Sequence, residues 1–283
     1  MELILLFTFV IMMSLCWGSF LNVVAYRLAA EKDFFTTRSR CPECDHVISW
    51  YDNIPVISWL ILGGKCRSCK APISLLYPFI ELLTALIFTA FVYLSHSSYF
   101  SHAHINIHTI LLGTSTGTSI ETLRDCVTSC VYFTFFSALI VATRTDLQAL
   151  VIPQLVTTWL IPVGVIASYF GLTTISVQDS MIGCMAGYIV LWVIAYLFKR
   201  ITHKDGLGVG DMELLAMIGS FLGPIGIWFS VMIGSLSGLA IGGFYLVCAG
   251  KDRSTRIPFG PFLALGALLF FFFQEQLVRL FIL

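Results

Sequence analysis

Charge is scarce in this chain. Only 11% of its 283 residues are Asp, Glu, Lys or Arg, against roughly 25% in ordinary soluble domains. That shortage excludes a conventional soluble surface over most of the length. Neither sign is in excess. Sixteen basic and sixteen acidic residues leave a net charge of zero, so nothing argues for nucleic acid as a partner. Several catalytic signatures are also missing. No H-E-x-x-H occurs, so a zincin reading lacks its residues. The glycines at 206, 208 and 210 alternate; they do not have the G-x-G-x-x-G spacing of a dinucleotide site. Ten-residue segments of alternating polarity, the mark of a transmembrane barrel, are absent too.

What is present is apolar sequence. Hydrophobic residues make up 58% of the chain, and several uncharged runs approach the ~20 residues that span a bilayer. The expected fold is an all-α polytopic membrane protein with about eight transmembrane helices and a small cytoplasmic zinc-ribbon-like loop. Approximate spans are 3–26, 75–94, 127–143, 151–170, 181–198, 212–222, 225–248 and 258–273. The sixth is short and stops before Gly223-Pro224, so a tilted, broken or re-entrant segment is expected there. Residues Leu3 to Tyr26 carry no charge and follow no basic n-region. They read as a retained first span, not a signal peptide.

The basic residues orient these spans. Arg27, Lys32, Arg38, Arg40, Lys65, Arg67 and Lys70 lie between spans one and two, and Arg144 lies between three and four. Lys199, Arg200 and Lys204 lie between five and six, and Lys251, Arg253 and Arg256 between seven and eight. Only Arg124 and Arg279 fall on the other side. The rich side is expected to be cytoplasmic. Residues 95–125 then form an extracytoplasmic loop, whose His96, His102, His104 and His108 read as part of a solvated segment.

Cys41-Pro42-Glu43-Cys44 and Cys66-Arg67-Ser68-Cys69 are separated by 21 residues. Paired C-x2-C turns offer four thiolates to one tetrahedral ion, the pattern of a structural zinc site. On the cytoplasmic side thiols stay reduced, which disfavours disulfides. Four thiolates leave no position for water, so the expected zinc is structural and not catalytic. His46 is a weaker alternative ligand. The remaining cysteines, Cys16, Cys126, Cys130, Cys184 and Cys248, read as small packing residues.

Two aspartates stand in apolar surroundings: Asp146, in Arg144-Thr145-Asp146-Leu147, and Asp211, after Gly206, Gly208 and Gly210. Ionisable groups at membrane depth are costly and usually face a bundle interior or a watered cavity. Two carboxyls that meet there suit shared-proton acid–base chemistry. Asp146 is expected just after span three and Asp211 at the start of span six, both at cytoplasmic ends. Gly208 and Gly210 would let an extended peptide approach closely. The plainer alternative is two interfacial carboxylates facing water.

The ordered set of motifs resembles the type IV prepilin peptidases, bifunctional leader peptidase/N-methyltransferases. The likeness includes Gly18-Ser19-Phe20-Leu21-Asn22 with Tyr26-Arg27, the paired C-x-x-C loop, and Tyr77-Pro78 with Glu81. It continues through Asp146 before Ile152-Pro153, Gly208-Val209-Gly210-Asp211, and Pro258-Phe259-Gly260-Pro261-Phe262. The resemblance implies an intramembrane aspartyl protease of the bacterial inner membrane. Its substrates would be prepilins or pseudopilins, cut after a glycine at the cytoplasmic face. It would then methylate the new N-terminal residue with S-adenosylmethionine. Asp146 and Asp211 fall on the family's catalytic positions. Glu43, the cysteine loop and Gly18–Asn22 are the residues the resemblance associates with methylation.

The implied division is a first helix at 1–27, a zinc-binding loop at 28–74, and a protease bundle at 75–283. Two positions depart from the family pattern. Gln154 stands where Asp usually follows Ile-Pro, and Glu213 stands where Lys usually follows two residues after the catalytic Asp. The alternatives are a proton- or cation-coupled transporter using the aspartate pair, and a membrane-anchored zinc-ribbon adaptor with inert aspartates.

Overall fold

The computed structural model describes residues 2–30, 39–96, 119–203, 206–248 and 257–281. Among them the regular elements are helical, and the only β pairing is two isolated antiparallel bridges, Arg40 with Val47 and Lys65 with Pro72. Most of the histidine-containing segment, residues 97–118, lies outside the described residues. The chain divides into two compact units, Met1–Ser115 and Thr116–Leu283.

The first unit pairs helix α1 (Glu2–Ala29) with α3 (Leu76–His96) and sets a small folded loop with helix α2 (Ile57–Ile61) between them in sequence. Gly18 allows the pairing. A methyl group placed on it would lie 2.9 Å from Glu81 Cα and from Thr84 Oγ1, so only a bare α-carbon lets the two helices come this close. Asn22, buried in the same contact, donates to the Tyr77 carbonyl at 3.0 Å.

The second unit holds α4 (Ser119–Ala149), α5 (Gln154–Thr157), α6 (Leu160–Tyr169), α7 (Val177–Thr202), α8 (Val209–Ser237), α9 (Gly243–Cys248) and α10 (Gly260–Phe281). A π-helical turn, Gly238–Gly242, joins α8 to α9. Its core is aromatic. Tyr132, Phe135, Phe136, Phe221, Phe229, Phe270 and Phe271 are buried, and Phe135 stacks on Phe221 with centroids 4.6 Å apart. Small residues bring the backbones together around it. Gly187 on α7 faces the Leu215 carbonyl, and Gly266 on α10 faces the Ser230 carbonyl, each 2.6 Å from where a Cβ would stand.

Gly223 divides α8. Its φ of 72° and ψ of −173° fall in a region essentially reserved for glycine, and Pro224 then starts the second arm, as proline does at a first helical position. A methyl on Gly219 would lie 2.8 Å from Ile227 Cδ1. Eight residues of straight helix would separate those positions by about 12 Å, so the two arms do not share one axis. The break falls where the sequence suggested a boundary between spans six and seven.

Six described helices are long and apolar enough to cross a membrane by length and composition, and Gln154–Tyr169 is a shorter apolar stretch. The coarse expectation of a polytopic all-helical membrane protein therefore holds. The difference from eight lies in two places: the expected fourth span is two short helices, α5 and α6, and the expected sixth and seventh are the arms of α8. One placement is corrected. α4 starts earlier and ends later than the expected 127–143, so Arg144 and Asp146 lie inside a helix and not beyond it. Arg144 is buried and donates to Gln148 Oε1 at 2.6 Å. Thr145 folds its hydroxyl back onto the Val141 and Ala142 carbonyls. The helix stops only at Leu150, whose φ is 55°. Among the remaining cysteines Cys16, Cys126, Cys130 and Cys248 are exposed, so packing does not account for them.

Candidate active site

Asp146 sits in the last turn of α4 and is 5% exposed. Its Oδ2 accepts a hydrogen bond from the Gly260 N–H at 2.9 Å, the first residue of α10. Helix N-termini present free N–H groups that favour an anion. Asp211 lies in the first turn of α8, and its Oδ2 accepts from the Gly208 N–H at 3.2 Å. It thus closes the N-terminus of its own helix.

One apolar residue joins their supports. Ile152, buried, lies against two bare glycines. A methyl on Gly210 would stand 2.9 Å from Ile152 Cβ and 3.3 Å from its carbonyl oxygen. A methyl on Gly260 would stand 2.9 Å from Asp146 Oδ2 and 3.0 Å from Ile152 Cδ1. The close approach at Gly210 is therefore to the chain's own Ile152. Gly208 is different: nothing lies nearer to its bare face than Asp211 Oδ2, at 3.5 Å. The roles of Gly260 and Ile152 did not emerge from the sequence, although both stand in motifs that carried the resemblance.

The two unusual positions are partners. Gln154 Nε2 donates to Glu213 Oε1 at 3.1 Å, and Thr157 Oγ1 donates to Glu213 Oε2 at 3.1 Å. In the sequence Gln154 and Glu213 stand as separate irregularities, 59 residues apart.

In the first unit, Cys41, Cys44, Cys66 and Cys69 converge, with all four sulfurs within 4.8 Å of one another and Cys41 Sγ 3.8 Å from Cys69 Sγ. Four ligands at ~2.3 Å around a tetrahedral ion stand about 3.8 Å apart, so the donor set fits zinc. Both pairs sit on the same kind of turn. Asp45 N–H donates to the Cys41 carbonyl and Lys70 N–H to the Cys66 carbonyl, with left-handed φ values of 54° and 61°. Backbone N–H groups of Cys69 and Ser68 pull the Cys66 thiol down to about 7. At Cys44 the His46 N–H pulls downward, but burial and the three neighbouring thiols outweigh it and push this thiol up to about 12. His46 contributes its carbonyl to the turn, accepting from Cys41 N–H at 3.0 Å.

The loop is fastened to its helices through Glu81. This buried carboxylate accepts from Val56 N–H at 2.8 Å, and Val56 has a φ of 59°. A β-branched residue rarely adopts that conformation, so the bond holds a strained turn in place. Arg67 and Asp52 add a bidentate pair at 2.8 and 2.6 Å. A groove of about 420 Å³ opens nearby, lined in part by Ser19, Arg27, Asn53 and Pro55.

Taken together, these features define a helical membrane protein with a carboxylate pair at the junction of several helices and a four-cysteine loop. The family model for the bacterial peptidase A24 N-terminal domain matches residues 12–95, and that for the type IV leader peptidase family matches residues 133–247. A prepilin leader peptidase/N-methyltransferase of Aeromonas hydrophila is 33% identical over 303 residues, covering 97% of this chain and 93% of the relative. The protein of the same name from Pseudomonas aeruginosa is 32% identical over 292 residues, covering 95% and 91%. That from Xanthomonas campestris pv. campestris is 31% identical over 284 residues, covering 92% and 89%. No solved structure matches. The chain belongs to the type IV leader peptidase family.

Proposed function

We propose that this protein is a prepilin leader peptidase and N-methyltransferase, with Asp146 and Asp211 as the proteolytic carboxylates. The observation that carries the reading is that Gly260, whose N–H holds Asp146, and Gly210, which precedes Asp211, both lie against Ile152. One ionised carboxylate takes a proton from water while the other, protonated, polarises the scissile carbonyl. The Gly260 and Gly208 N–H groups hold one oxygen of each acid, which leaves the other free to act. Gly208, exposed and uncrowded, is where an extended peptide has room to approach. Gly210 serves that approach indirectly, by keeping Ile152 and Asp211 in register.

Substrates are prepilins or pseudopilins embedded in the same bilayer. The concentration of Lys and Arg on one side supports eight crossings with the cytoplasmic face as the side of cleavage, in a bacterial inner membrane. Cys41, Cys44, Cys66 and Cys69 hold a zinc that supplies structure to the loop. S-adenosylmethionine is the methyl donor that the relatives' activity calls for. The groove in the first unit falls in the size range of small-molecule sites. The transporter alternative explains neither the cysteine cluster nor the relatives.

The test is cleavage of a prepilin-like peptide by purified protein in liposomes. Asp146→Asn and Asp211→Asn each keep size and remove acid–base function, so each should lower the rate by at least ~10²–10⁴. Near-native cleavage by either variant defeats the assignment.

A further inference from the structure

We infer that Glu213 is a positioning residue. Held by Gln154 and Thr157, it keeps the segment that follows Asp146 seated against the helix that carries Asp211. The inference rests on the peptidase reading above and adds a residue to it.

Both oxygens of the Glu213 carboxylate are engaged by one short helix, α5, through Gln154 Nε2 and Thr157 Oγ1 at 3.1 Å each. Thr157 is fully buried. Glu213 follows Asp211 by two residues on α8, and residues two apart on a helix do not share a face. Its charge is therefore spent on α5 and not directed alongside Asp211.

The position of α5 is what gives this consequence. The chain leaves α4 just after Asp146, turns at Leu150 with φ 55°, presses Ile152 against Gly210, and enters α5 at Gln154. The near end of this segment is anchored by α4. The far end is anchored by Glu213. Two charge-assisted hydrogen bonds at that end restrain how Ile152 meets the residue preceding Asp211. Gln154 and Glu213 also account for each other. Gln154 supplies the amide donor and Glu213 the carboxylate acceptor, so placing an acid at 154 and a lysine at 213 exchanges acceptor and donor between the two helices.

The exchange can be made experimentally. Peptide cleavage in liposomes is measured for native protein, Gln154→Asp, Glu213→Lys, Gln154→Asp/Glu213→Lys and Gln154→Ala, with kcat and KM separated. Zinc content and thermal unfolding serve as folding controls. Gln154→Asp sets two carboxylates against each other and should lower kcat about ten- to a hundredfold, the range expected for losing hydrogen bonds to a charged group. The double variant should return to within about threefold of native. If Gln154→Asp does not fold, Gln154→Ala decides: it removes one donor and should still lower kcat, with KM little changed.

Native cleavage by a folded Gln154→Asp, or by Gln154→Ala where that variant decides, overturns the inference. So does a folded double variant as slow as Gln154→Asp. Loss of activity that only follows a falling unfolding temperature, without kcat recovery in the double variant, marks a merely structural contact and also overturns it. If native protein fails to cleave, it is the peptidase reading that fails. If native protein cleaves, Asp146→Asn does not, and the Gln154 variants are indifferent, only the role of Glu213 fails.

Discussion

Gly210→Ala is a small change with a large expected effect. The added methyl would stand 2.9 Å from Ile152 Cβ and 3.3 Å from the Ile152 carbonyl oxygen. Ordinary carbon–carbon contacts lie at about 3.5–4.0 Å, so the overlap is roughly 0.6–1 Å. Neither atom belongs to the flexible end of a side chain, and no rotamer change relieves the clash. The backbone of the Ile152 segment or of the α8 N-terminus must shift. Overpacking of this kind costs about 1–3 kcal/mol. A displacement near 1 Å at reacting groups costs on the order of a hundredfold in rate. Gly243→Ala is the control, because nothing lies within 4 Å of where its methyl would stand. The assay is cleavage of a prepilin-like peptide in liposomes, with zinc content and unfolding temperature measured on the same preparations. Gly210→Ala should lose about a hundredfold in rate and Gly243→Ala should cleave at close to the native rate. Equal effects at the two glycines, or native cleavage by Gly210→Ala, would refute the reasoning from the Ile152 contact.

Other expectations bear on the rest of the chain. Metal analysis of purified protein should give about one zinc per chain, and a Cys41→Ser/Cys69→Ser variant should lose it; metal-free native protein that stays folded would contradict a structural ion. Gly223→Ala should destabilise by about 1–3 kcal/mol through its backbone conformation alone, because the nearest atom to the new methyl is Ile175 Cγ2 at an ordinary 3.5 Å. An unchanged unfolding temperature would show that the break in α8 is relaxed. The Arg67 guanidinium, through its hydrogen bonds, holds the Asp52 carboxyl below the usual carboxylate range. A folded value below the unfolded ~3.9 means that the pair's contribution is present above about pH 4 and fades as pH falls through the folded value. The effect of Arg67→Ala on protease resistance of the loop should therefore be constant from pH 8 to 5 and disappear only in strong acid. A change across neutral pH would point to another group.

Much of this protein follows from sequence because the bilayer imposes simple rules. A backbone in hydrocarbon must satisfy its own hydrogen bonds, so long uncharged runs have to be helices. The same economy makes Asp146 and Asp211 conspicuous, since few acids occur where they are costly. Two C-x2-C turns set the geometry of their thiols locally, in the few residues of each turn. Gly223-Pro224 announced its break for an equally local reason, the backbone freedom of one residue and the constraint of the next. Properties of this kind reside in short stretches or in composition, and a linear reading reaches them.

What only the tertiary structure decided depends on residues that meet across long separations. Asp146 was expected just after its span, but the helix continues past it to Ala149. The Gly260 N–H that holds Asp146 lies 114 residues away. Gly210 looked like a place for a peptide and is occupied by Ile152, a contact no spacing rule announces. Gln154 and Glu213 read as two separate irregularities and are one hydrogen-bonded pair. Each of these depends on which helix faces lie together, and that is set by the packing of bare glycines and aromatic side chains across the whole unit. The residue types of the candidate site were therefore legible in the sequence, while the contacts that surround them were decided by the fold.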